Sequence, residues 1–160
     1  VHVDSREKMK PGAKYFEWER KGVPLRFEIG PRDVDNNSVF CAKRTGEKKF
    51  GIEVGEQFVA EVQGLLEAMQ QGLLDAALER RKSNTHRIDS YDTMKSMLDT
   101  QPGFFLVPWH DDAESEKAIK DDCKATIRCF PLDAQDEVSG KTCFYSGRTA
   151  THMAIFARAY

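Results

Sequence analysis

Residues 24–30 alternate strictly, with Leu25, Phe27 and Ile29 on one side and Arg26 and Glu28 on the other. That is the period of a half-buried strand. Before it, residues 9–22 predict a helix with Pro11 as its first helical residue, Tyr15 and Trp18 on its apolar face with Phe16 beside them, and Gly22 as its stop. Pro31 and the run Asp33-Val-Asp-Asn-Asn37 predict a turn. Residues 38–43 and 50–54 read as strands flanking a polar loop, 44–48, which a hairpin or a bulged connection fits equally. Residues 1–4 are β-like. The strongest pattern follows. Phe58, Val59, Val62, Leu65, Leu66, Met69, Leu73, Leu74, Ala77 and Leu78 recur at helical spacing over 56–82, a stripe wide enough to cover one face of a sheet.

Residues 83–87 are polar and linker-like. Asp89 or Ser90 is placed to cap a short helix through Leu98. Residues 103–109 read as a buried strand, 113–123 as a charged helix around Ile119, and 125–132 as a strand with Ile127, Cys129 and Pro131 on one side. Residues 133–140 predict an acidic loop, and 141–145 with 152–159 a closing hairpin around Ser146-Gly147-Arg148. The fold class is therefore α/β followed by α+β: a sheet-and-helix unit over 1–82 ending in the long connecting helix, then a small α+β unit over 83–160. There is no internal repeat and no low-complexity tract.

Composition narrows the function classes. A hydrophobic fraction of 40% with 31% charged residues, ten Phe, four Tyr and two Trp is that of a globular chain with a core to bury. No apolar run approaches the ~18–20 residues that span a bilayer, and the charged N-terminus has no apolar signal region. The first residue is Val1, which reads as the start of a processed product or a fragment. The charge is uneven. Residues 1–54 carry 12 Lys and Arg against 9 Asp and Glu, net +3, and the remainder is net −5. A polyanion would be met by the first third. Cys41, Cys123, Cys129 and Cys143 form no Cys-x-x-Cys pair and are too sparse for a disulfide scaffold, so reduced and mostly buried thiols are expected. His2, His86, His110 and His152 are scattered, and no nucleophile elbow, phosphate loop or dinucleotide fingerprint is present.

The most informative stretch is ERKGVPLRFEIGPRD, residues 19–33. Glu19 sits at a helix end, Arg26 and Glu28 share the polar face of the next strand, and Arg32 lies just beyond. A carboxylate accepts from the amino and imino edge of a base, and an arginine donates to guanine O6 and N7. Unpaired bases splayed over a sheet are read in this way. The same residues also suit a plain surface ion-pair ladder, which contributes little to stability.

The strings PGAKYFEWE, KGVPLRFEIGPRDV and KRTGEKK resemble the anticodon-binding domain of prolyl-tRNA synthetase, a class II family. GFFLVPWHDDAESEKAIKDDCKATIRCFP, GKTCFYSG and IFARAY resemble the C-terminal domain of its archaeal and eukaryote-like type. The resemblance implies that Glu19 accepts from a guanine Watson–Crick edge, that Arg26 donates to the neighbouring guanine, and that Lys48 adds a base or phosphate contact. Arg32 and Arg44 are candidate phosphate contacts by chemistry alone. The terminal Tyr160 is implied to brace the catalytic domain. The family also supplies a strand and a helix before residues 1–4, which would leave the first unit incomplete on its N-terminal side.

The family's C-terminal domain holds zinc through four cysteines. Here those positions are His110, Ser115, Cys143 and Ser146, and two hydroxyls are poor substitutes for two thiolates, so no zinc is expected. No catalytic residue is expected in this chain. The implied parent activity is ATP- and Mg-dependent attachment of proline to tRNA(Pro), with ATP and Mg held in a catalytic domain outside these residues. The implied partners are the tRNA(Pro) anticodon stem-loop, that catalytic domain and a second copy in a homodimer, with no membrane. The compartment would be the cytoplasm or an organelle. The competing reading is a synthetase-derived, non-catalytic subunit of a larger assembly.

Overall fold

A computed structural model describes residues 1–46 and 48–158; Glu47, Ala159 and Tyr160 lie outside the described residues. The chain divides into two compact units, 1–76 and 77–160. No helix among the described residues is long and apolar enough to cross a membrane.

In the first unit, α1 (Pro11–Arg20) opens with Pro11 in its first turn and leads into β1 (Leu25–Glu28). The reversal between them uses Gly22 at φ +78°, where an added Cβ would meet Arg44 Nη1 at 3.1 Å. The predicted turn after β1 contains a single helical turn, α2 (Pro31–Asp35), closed by the Asp33 carboxylate accepting from the Gly30 amide. Then come β2 (Ser38–Lys43) and β3 (Phe50–Glu53). The three strands form one antiparallel sheet in the order β1-β2-β3. Residues 1–4 form no strand; Asp4 instead accepts from Arg6 and Trp18.

Leu25, Val39, Cys41 and Ile52 point from the sheet onto α3 (Phe58–Ser83), where Met69 is buried and Phe58, Val62 and Leu65 are half-buried. The long apolar stripe is only partly used. Val59, Leu66, Leu73, Leu74 and Leu78 are exposed. For Leu73, Leu74 and Leu78 the cause is length: a 26-residue helix runs about 39 Å, and strands of four to six residues are roughly half as long.

The second unit holds a four-stranded mixed sheet in the order β4-β5-β7-β6. The predicted linker is β4 (Thr85–Arg87), parallel to β5 (Phe104–Trp109). Ser90 caps α4 (Tyr91–Thr100), and Asp112 caps α5 (Ala113–Cys123). The strand β6 (Ala125–Cys129) ends earlier than its apolar run suggested. The acidic segment is a 3-10 helix (Leu132–Val138) with Ala134 buried against Leu106 and Met153.

The predicted closing hairpin is corrected. Among the described residues no ladder pairs 141–145 with 152–158: Thr142 bridges Thr149 in the connecting turn, and β7 (His152–Arg158) lies between β5 and β6. Met153, Ala154, Phe156 and Ala157 are all buried, so β7 is apolar on both faces and takes a central place, not an edge. Trp109, Phe105, Phe156, Met94 and Ile119 form the centre of the core. All four cysteines are free thiols; three are buried, and Cys129, the last residue of β6 after the register shift that follows Ile127, is exposed, against expectation.

Candidate functional site

Residues cross-paired in an antiparallel sheet share a face. Arg26 pairs with Ala42 and Glu28 with Phe40, so these side chains point away from α3. The helix α1 covers that outward face above β1. Its Tyr15 ring lies 4.0 Å from the Arg26 guanidinium carbon, and Glu19 stands at its end.

The guanidinium is held on three sides. Arg26 Nη1 donates to Glu19 Oε1 at 2.7 Å. Arg26 Nη2 donates to Glu28 Oε1 at 3.2 Å. Lys49 bonds the same Glu28 oxygen, and its Nζ sits 4.9 Å from the Tyr15 ring centre. The Tyr15 phenol and the Glu28 carboxylate act on each other's titration. Burial pushes the Glu28 carboxyl up, and the donors Lys49, Tyr15 and Arg26 outweigh it, leaving it below its ordinary value. Burial and the bond to Glu28 raise the Tyr15 phenol. Arg26 is only 16% exposed at its side chain, whereas Glu19 is 54% exposed. Glu19 therefore presents acceptor capacity to solvent while its partner is locked in place.

Glu19 and Arg26 are thus brought together. Lys48 is exposed in the loop before β3, with no hydrogen bond or ion pair among the described residues. Arg44 is exposed, and its Nη1 donates to the Gly22 carbonyl at 3.2 Å. Arg32 is exposed on α2. Together with Trp18 and Val23, the residues Glu19, Arg26, Lys43 and Arg44 line a shallow hollow between α1 and the strand ends. Tyr160 lies outside the described residues. Sequence reasoning missed the parts played by Tyr15 and Lys49. Tyr15 reads as core at helical spacing, and adjacent lysines in a polar loop carry no signal of which one turns to the strand.

In the second unit the four positions that the resemblance sets against a zinc site, His110, Ser115, Cys143 and Ser146, are engaged in hydrogen bonds within the chain. His110 Nδ1 bonds the Thr149 carbonyl at 2.8 Å. The Ser115 hydroxyl donates to Asp112 Oδ2, and Arg148 pairs with the same oxygen at 2.9 Å. Cys143 Sγ accepts from the Ser146 amide at 3.5 Å. Burial works to raise the Cys143 thiol, and the Ser146 side chain with the amides of Ser146, His110 and Tyr145 outweighs it, lowering it. One imidazole, one thiol and two hydroxyls do not fit the four N or S ligands of a structural zinc. Among the described residues no group of three or more His, Cys, Asp or Glu is placed to hold a metal.

Comparison with known proteins places these units. Residues 1–65 match the family model described as an anticodon binding domain, and residues 91–160 match that described as prolyl-tRNA synthetase, C-terminal. The architecture is that of the domains appended to an aminoacyl-tRNA synthetase. Proline–tRNA ligase from Cytophaga hutchinsonii is 40% identical over 160 residues, covering 100% of this chain and 32% of the relative. That from Roseiflexus castenholzii is 41% identical, covering 99% and 32%. The crystal structure of prolyl-tRNA synthetase from Cryptosporidium parvum, complexed with L-proline and AMP, superposes with a TM-score of 0.87 at 32% identity. It is matched over 100% of this chain and 33% of that one. The chain belongs to the prolyl-tRNA synthetase family, as its anticodon-binding and C-terminal domains, and spans about a third of the length of these relatives.

Proposed function

We propose that this chain is the tRNA-reading and structural-support region of a proline–tRNA ligase, and that Glu19 and Arg26 read guanines of the tRNA(Pro) anticodon. The observation that carries this reading is the 2.7 Å pair between a half-exposed carboxylate and a pinned guanidinium at the rim of an open sheet. A guanine offers N1–H and N2–H donors to the carboxylate and O6 and N7 acceptors to the guanidinium. In the free protein the two charges satisfy each other. On binding, each exchanges its partner for a base edge, so neither is left desolvated and unpaired. The pinning of Arg26 by Glu28 and Tyr15 supports selectivity, because a pre-oriented donor loses little freedom on binding.

Lys48 adds a base or phosphate contact from its loop, and Arg32 and Arg44 contact phosphates, consistent with the net positive charge of residues 1–54. Tyr160 and the second unit brace the catalytic domain of the longer protein. That domain holds ATP and Mg and joins proline to the tRNA; the protein works as a homodimer in the cytoplasm. The second unit does so without zinc.

The test is binding of a tRNA(Pro) anticodon stem-loop by Glu19→Ala, Arg26→Ala and Lys48→Ala. Loss of a base contact by Glu19 or Arg26 costs about 1–3 kcal/mol. Unchanged affinity in all three variants overturns the assignment.

A further inference from the structure

The outward face of the first sheet carries a large apolar side chain where the pattern calls for a polar one. Phe40 lies on β2, the middle strand, and is 45% exposed, while its neighbours Val39 and Cys41 are 5% and 0% exposed on the opposite face. It pairs laterally with Glu28 on one side and Gly51 on the other. Gly51 contributes no side chain, and a Cβ built there meets nothing within 4 Å. One flank of the ring is therefore bare, and the other borders the Glu28–Arg26–Lys49 cluster. The helix α1, which shields Arg26 through Tyr15, leaves Phe40 exposed.

We propose that Phe40 is a stacking platform for an unpaired RNA base next to the guanine read by Glu19 and Arg26. This rests on the anticodon reading above and names a contact beyond it. Phe40 is the diagonal cross-strand neighbour of Arg26, since Arg26 faces Ala42. Diagonal neighbours lie about 7–8 Å apart. A base on the ring and a base edge on Arg26 then belong to consecutive nucleotides of a splayed strand. Aromatic rings on an open sheet recognise single-stranded RNA by this geometry, because every base has a π-face. The electrostatics favour RNA over an apolar protein segment. The rim of the platform carries Arg26 and Lys49, the two cations bonded to Phe40's cross-strand partner Glu28, and residues 1–54 hold a net +3.

The test compares the protein with its Phe40→Leu and Phe40→Tyr variants, using anticodon stem-loops carrying 2-aminopurine at each loop position in turn. Leucine keeps the apolar surface and removes the π-face; tyrosine keeps both. Stacking predicts that Phe40→Leu binds about 5- to 150-fold more weakly, while Phe40→Tyr binds as the unsubstituted protein does. One probe position should change its emission on binding with Phe and Tyr but not with Leu. Thermal midpoints should be alike in all three, since the ring is exposed. Phe40→Leu binding with undiminished affinity, or equal loss in the Leu and Tyr variants, overturns the platform. Arg26→Ala run alongside separates the two claims: if it weakens binding while Phe40→Leu does not, the platform fails and the anticodon reading stands.

Discussion

Arg26 and Glu28, two residues apart on β1, are joined at 3.2 Å through Glu28 Oε1, the same oxygen that Lys49 bonds. The carboxylate is therefore the hub that fixes both cations over the Tyr15 ring. The hub makes the first unit acid-sensitive. The Glu28 carboxyl titrates below its ordinary value of 4.5 in the folded state. Its contribution is fully present above the unfolded value and is lost as the pH falls from about 4.5 through the lowered folded value. Trp18 is the tryptophan of this unit and Trp109 that of the other, so each unit has its own fluorescent reporter. Glu28→Gln should flatten part of the acid limb of the Trp18 transition. An unchanged limb would assign the acid sensitivity to the other lowered carboxyls of this unit, Asp4 and Glu17.

Arg26 should not be replaceable by lysine. A guanidinium spans Glu19 and Glu28 and sits over the Tyr15 ring at the same time. An ammonium has one centre of charge and no plane to stack. Arg26→Lys is expected to destabilise the first unit by about 1–2 kcal/mol, nearly as much as Arg26→Ala. Urea unfolding followed at Trp18 measures this. A lysine variant as stable as the unsubstituted protein would mean that charge alone suffices.

The legible parts of the fold were those with a period. The alternation over Leu25–Glu28 and the apolar spacing over Phe58–Ser83 gave β1 and α3, because burial of one face leaves a repeat in the chain. Pro11 in the first turn of α1 and the cap Ser90 mark helix starts by local chemistry. The placement of β7 was not legible. A central strand and a hairpin arm are both short apolar runs, and only the pairing partner distinguishes them. The same limit applies at the site. Glu19 and Arg26 were found through their residue types and the family resemblance. Tyr15, Lys49 and Phe40 were not, because their parts follow from cross-strand register and from which residues α1 covers.

Gly103 is required by a close approach. A Cβ there would lie 2.4 Å from the Asn84 carbonyl oxygen, a backbone atom at the start of β4. That carbonyl also accepts from the Phe104 amide at 2.8 Å, so it cannot retreat without breaking the β4–β5 junction. Gly103→Ala should cost the second unit about 1–3 kcal/mol, read by denaturation at Trp109. Gly64→Ala in α3 should act oppositely. Its Cβ would meet nothing within 4 Å, and alanine favours a helix over glycine by about 1 kcal/mol. Equal effects at the two sites would refute the contact argument.

Asp112 does in this chain the work of tying the 143–148 turn to the end of β5. Its Oδ2 accepts from the Ser115 amide and hydroxyl and pairs with Arg148 at 2.9 Å. Arg148 in turn offers its carbonyl to the Cys143 amide at 2.7 Å. Thr151 completes the tie, accepting from the Asp111 amide at 3.0 Å. Two of the four positions that the resemblance sets against a zinc site, Ser115 and Ser146, carry hydroxyls, and the Ser115 hydroxyl already donates to Asp112. A donor committed in this way does not release a proton to become a metal ligand. The second unit should therefore hold its fold without metal. Prolonged EDTA treatment should leave the Trp109 unfolding midpoint where it was, and elemental analysis should find no stoichiometric zinc. Asp112→Ala and Arg148→Ala should each lower that midpoint, and the double variant should lose less than the sum, because both remove the same ion pair. A midpoint that drops on chelation and recovers with added zinc would show that His110 and Cys143 recruit the metal despite the two serines.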